Sequence, residues 1–86
     1  MPEICRFYGI VIKMYFDDHN PPHFHAEYAD KSVVIDIKTL AVIGGCLPPR
    51  AMGLTMEWAL LHQSDLQQAW DQARNQKSPV KINPLS

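Results

Sequence analysis

Apolar residues recur at every second position in Gly9–Phe16 (GIVIKMYF), where Ile10, Ile12, Met14 and Phe16 share one parity. A period of two is that of a β-strand with one buried face, and the β-branched and aromatic content favours the same element. Asp17-Asp18-His19-Asn20-Pro21-Pro22 breaks the pattern with turn formers and two prolines that cannot donate to a ladder, so a loop is expected there. Two short strands follow, His23–Tyr28 (HFHAEY) and Lys31–Ile37 (KSVVIDI), separated by Ala29-Asp30, a gap of hairpin length. Ala41–Ile43 is a candidate fourth strand, closed by Gly44-Gly45.

The period then changes. From Arg50 to His62, Ala51, Leu54, Trp58 and Leu61 fall at helical spacing, with Met52, Met56, Ala59 and Leu60 widening the stripe, and Pro48-Pro49 sits where proline is tolerated. Ser64-Asp65-Leu66-Gln67 reads as a capping box, and Leu66, Ala69, Trp70 and Ala73 continue as one face of a second helix ending near Asn75. Val80–Ile82 either adds an edge strand or stays irregular. These elements predict an α+β fold: a small, mainly antiparallel sheet of three to four strands, packed on one face by two C-terminal helices. The whole chain, 1–86, reads as a single domain that is β-rich over 1–46 and helical over 48–75, with a tail over 76–86.

Composition narrows the function classes. The 86 residues are 47% hydrophobic and 20% charged with a formal net charge of -1, which suits one small soluble domain and lacks the basic excess of a duplex-binding surface. Contact with RNA stays open. No apolar run approaches the ~18 residues of a membrane span, and Met1-Pro2-Glu3-Ile4-Cys5-Arg6 has no signal-peptide character, so a cytoplasmic protein without membrane association is expected. Cys5 and Cys46 read as reduced thiols without assigned chemistry.

The candidate chemistry lies in the histidines, three of which, His19, His23 and His25, fall within seven residues. In a strand, His23, His25 and Glu27 share one face and Phe24, Ala26 and Tyr28 the other. A two-residue turn at Ala29-Asp30 pairs Tyr28 with Lys31, His25 with Val34 and His23 with Asp36. The polar face then collects Lys13, Tyr15, His23, His25, Glu27 and Asp36, with His19 on the adjacent loop. Imidazoles and carboxylates together suit a divalent metal such as zinc, iron, manganese or nickel, with His19, His23, His25, Glu27 and Asp36 as candidate ligands. Without metal, His23 and His25 are a candidate acid and base for RNA cleavage, with Lys13, Arg6 or Arg50 facing the developing charge. Same-face neighbours point in parallel, however, whereas in-line attack needs an opposed pair. In the purely structural alternative, His23 donates to Asp36 across the hairpin and His25 is an ordinary strand residue. His62 reads as a favourable charge at a helix C-terminus, and Trp58 and Trp70 as core anchors.

Arg6-Phe7-Tyr8-Gly9-Ile10-Val11-Ile12, Asp18-His19-Asn20-Pro21-Pro22-His23-Phe24-His25-Ala26-Glu27-Tyr28, Leu47-Pro48-Pro49-Arg50-Ala51 and Glu57-Trp58-Ala59 with His62 together resemble the bacterial domain of unknown function 4160 family. The resemblance runs over nearly the whole chain. It implies a neighbouring small gene in a toxin–antitoxin-like pair, hence a protein partner encoded nearby, and carries no catalytic assignment. Oligomeric state does not follow from it.

Overall fold

The alternation in the front half builds a sheet that is wider than expected. In a computed structural model, which describes residues 3–15 and 19–85, five antiparallel strands lie side by side in chain order. They are β1 (Glu3–Phe7), β2 (Ile10–Lys13), β3 (His23–Tyr28), β4 (Lys31–Asp36) and β5 (Val42–Gly45), followed by the helices α1 (Pro49–Leu61) and α2 (Gln63–Arg74). The expectation of three to four strands is corrected by β1. Its pattern hides it, because an irregularity in the β1–β2 pairing between Glu3 and Cys5 buries the adjacent residues Ile4 and Cys5 together. Such a break in the period of two is what a β-bulge produces. Tyr8 and Gly9 join β1 to β2 with φ of +50° and +81°, the pair of positive values that a type I′ hairpin turn requires. The expected strand Gly9–Phe16 is shorter, and Phe16, Asp17 and Asp18 lie outside the described residues.

The β3–β4 hairpin has the expected register, with Tyr28 opposite Lys31, His25 opposite Val34 and His23 opposite Asp36. One face is therefore apolar: Ile10, Ile12, Met14, Phe24, Ala26, Val33 and Ile35 are fully buried. The helices supply Ala51, Trp58, Ala59, Leu66, Ala69, Trp70 and Ala73 to the same cluster. The Trp58 ring centre lies 5.5 Å from that of Phe7 and 6.0 Å from that of Phe24, so one indole bridges the edge strand and the central strand. Burial pushes the Cys5 thiol up from its ordinary range, which keeps it protonated within this layer.

The helices differ from expectation at their junction. His62 is both the C-cap of α1 and the N-cap of α2, so α2 starts at Gln63 and Ser64 makes no side-chain cap. Asp65, one residue into the anticipated box, instead holds His62 Nδ1 at 3.1 Å. Leu60 and Leu61, expected on the buried stripe, are 66% and 67% exposed, because Thr55 and Ala59 occupy the inward positions. The Thr55 hydroxyl donates to the Ala51 carbonyl at 2.8 Å, which makes a hydroxyl tolerable there.

The tail is irregular but held. Val80 N–H donates to Gln72 Oε1 at 2.9 Å, Ile82 N–H to the Ile4 carbonyl at 2.9 Å, and Trp58 Nε1–H to the Asn83 carbonyl at 2.8 Å. The tail therefore covers part of the outer edge of β1. β5 forms the opposite edge, where Gly45 sits at φ +75° and a Cβ would collide with the Ser32 carbonyl. Gly45→Ala is expected to lower stability by about 1–3 kcal/mol in urea denaturation, since strain adds to the clash. A loss below about 0.5 kcal/mol contradicts this backbone geometry.

Candidate functional site: the histidine face of the sheet

The pleat that buries Phe24 and Ala26 puts His25 and Glu27 on the other face, half-exposed, beside Val11, Lys13, Tyr15, Val34 and Asp36. β2 and β3 set Lys13 directly opposite His25 and Val11 opposite Glu27. Lys13 Nζ reaches diagonally to Glu27 Oε1 at 2.9 Å. The hydrogen bond to Glu27 raises the Lys13 pKa, so its ammonium is kept charged and already engaged by a carboxylate. At the sheet edge Glu3 and Arg6 pair likewise, at 2.8 Å.

His23 and His25 are brought together, with ring centres 5.2 Å apart and planes at 67°. Tyr15 meets His25 edge-on at 4.6 Å. The His23 ring lies 5.1 Å from that of Trp70, and the Arg74 guanidinium sits 5.9 Å from the same indole. His23 is only 8% exposed, which differs from an imidazole standing on an open face. Its Nδ1 lies 2.7 Å from the Pro21 carbonyl, an acceptor only, so Nδ1 carries the proton and donates. That bond fixes the tautomer and leaves Nε2 as the nitrogen with a lone pair when the ring is neutral.

The carboxylates behave differently from the expected ligand set. Asp36 faces His23 in register, but its Oδ1 accepts the backbone N–H of Lys38 at 2.8 Å and of Thr39 at 3.0 Å, closing the turn after β4. The Thr39 N–H, helped by that of Lys38, holds the Asp36 carboxyl below the ordinary range. Glu27 is taken by Lys13. His19 is exposed on the segment leading into β3. Of the candidate set His19, His23, His25, Glu27 and Asp36, the two carboxylates are thus engaged by Lys13 and by backbone N–H groups, and among the described residues no three histidines, cysteines or carboxylates come together as a metal-ligand group. Two imidazoles do.

The cations proposed for a phosphate are scattered for the same reasons. Lys13 and Arg6 are ion-paired, and Arg50 lies in the first turn of α1 beside Tyr8 and Tyr28. Trp70 is the residue whose role the sequence did not reveal. Its helical spacing shows a core position, but nothing local indicates that its ring covers His23, a contact across 47 positions of chain. His62 ends α1 as expected and also heads α2, with the Trp58 ring tilted against it at 5.5 Å.

The fold and the histidine face together define a small α+β domain with an open-faced sheet and two imidazoles in contact. The model of the domain of unknown function (DUF4160) matches residues 9–71, and the chain belongs to that family. No curated protein and no solved structure matches it. Among the described residues no helix is long and apolar enough to cross a membrane.

The two imidazoles should respond differently to loss. His23→Leu removes the donor to the part-buried Pro21 carbonyl and the buried imidazole packed against Trp70, and is expected to cost about 1–3 kcal/mol, while His25→Leu costs less than about 1 kcal/mol. Equal losses in chemical denaturation count against the assigned roles.

Proposed function

We propose that this chain is the partner-binding component of a bacterial, cytoplasmic toxin–antitoxin-like pair, and that the protein encoded beside it adds a strand to the outer edge of β5. One observation carries this reading. Among the described residues β5 pairs on one side only, with β4, and it presents Val42 and Ile43 at 47% and 50% exposure. Unpaired strand edges are templates for another chain, and proteins usually blunt them with charge, proline or cover. Val42–Gly45 carries neither charge nor proline, whereas the tail lies against β1 at the other edge. Co-expression with the neighbouring gene product is expected to yield a stable complex. In that complex Val42→Lys with Ile43→Lys weakens affinity at least tenfold without lowering the melting temperature of the free chain. Retention of full affinity by that double variant rules out the β5 edge.

The imidazole pair supports a second reading, a divalent metal held by His23 and His25. With metal–nitrogen bonds of about 2.0–2.1 Å, two rings on one tetrahedral ion have centres about 5 Å apart. The observed 5.2 Å fits that separation, and the Pro21 carbonyl orients His23 as an outer partner orients a ligand. Imidazole ligands favour zinc, iron or nickel over manganese. Tag-free protein dialysed against zinc is expected to retain about one ion per chain, and His23→Ala with His25→Ala to retain none; equal retention by both removes the metal. A ribonuclease has less support, because His23 and His25 stand in contact rather than across a gap and Lys13 is neutralised by Glu27.

A further inference from the structure

We propose that a hollow at the turn end of the sheet, between the β1–β2 turn and the start of α1, binds an aromatic carboxylate. The hollow has a volume of about 230 Å³ and is walled by Tyr8, Tyr28, Pro48, Arg50 and Leu54. At about 30 Å³ per water, that is the space of seven or eight waters, hence of one small ring with a substituent. The walls match a flat apolar body. Tyr28 packs against the core, and the chain can pass close to its ring because residue 9 is glycine: a Cβ there would lie 3.3 Å from a Tyr28 ring carbon. The same turn sets Tyr8 at φ +50°, where it is 57% exposed at the rim.

The charge of the hollow points to an anion. Arg50 is exposed, and among the described residues no carboxylate pairs with it; every other lining residue is uncharged. α1 opens here with Pro48 as N-cap, no side-chain cap and no acid in its first turn. Its positive end therefore adds to the guanidinium instead of being offset within the chain. A carboxylate is the anion of the right shape, since it takes two parallel bonds from a guanidinium while its ring lies between the tyrosines. Inorganic phosphate has the charge but no apolar body to bury against Leu54 and Tyr28. The shared chemistry, a ring carrying a carboxylate, occurs in free aromatic acids and in a peptide ending in phenylalanine.

The test is titration of the ¹⁵N-labelled chain, followed by amide shifts, with benzoate, benzamide, inorganic phosphate and a short peptide ending in phenylalanine. Benzoate is expected to give saturable shifts confined to residues near Tyr8, Tyr28 and Arg50–Leu54, with benzamide and phosphate at least tenfold weaker. Arg50→Gln, on an exposed side chain, should weaken benzoate at least tenfold while leaving the melting temperature unchanged. Tyr8→Ala should weaken it severalfold. Tighter binding of the peptide than of benzoate assigns the site to a chain terminus, and weaker binding assigns it to a free acid. Shifts that do not saturate, equal binding of benzamide, or full affinity in Arg50→Gln overturns the proposal. Each of these results is independent of the β5 edge and of the imidazole pair.

Discussion

Phe24 and Ala26 are fully buried while His25, between them, is half-exposed, and the rest of the molecule is arranged around that alternation in β3. β3 is the central strand, with two strands on each side. Slipping its register by one residue would aim the imidazoles at Trp58 and the phenyl ring at water. Cross-strand partners hold it in place from both sides. Ile12 lies opposite Ala26 and Ile35 opposite Phe24 on the buried face, so the helices close over one continuous apolar layer.

The two edges of this sheet have different fates. β1 is flanked by the C-terminal tail, which is tied by the Ile82 N–H to the Ile4 carbonyl and by the Trp58 indole to the Asn83 carbonyl. Those bonds link the first strand, the last residues and the largest core side chain. The family match, residues 9–71, leaves out both β1 and the tail, the two segments that meet there. Among the described residues no segment covers the outer edge of β5 in this way, and its four residues carry no charge to discourage pairing. An asymmetry of this kind directs association to one side of the sheet.

On the histidine face, charge is largely neutralised within the chain. Lys13 is held by Glu27, Arg6 by Glu3, and Asp36 by backbone N–H groups of its own turn. The imidazoles form part of a row of rings, Tyr15, His25, His23 and Trp70, that ends under Arg74. Ring contacts of this type combine buried area with edge-to-face electrostatics, and they hold His23 where its Nδ1 can bond the Pro21 carbonyl. The resulting surface is suited to contact by another molecule more than to attracting a polyanion from a distance.

The sequence by itself determined the α+β class, the β3–β4 register and the two helices, because each follows from a local period: two along His23–Tyr28, three to four along Ala51–Ala73. It also put His23 and His25 on one face of their strand, since neighbours two apart share a face, while the contact of the two rings comes from the structure. Other features were settled only when distant segments packed. β1 escaped notice because its bulge breaks the period of two, and the α2 start moved to Gln63 because His62 serves both helices. Asp36 turned to its own backbone, Glu27 to Lys13, and Trp70 came down on His23. A carboxylate's choice among a metal, a lysine and an N–H depends on which donor tertiary packing brings within 3 Å, and spacing along the chain does not encode that distance.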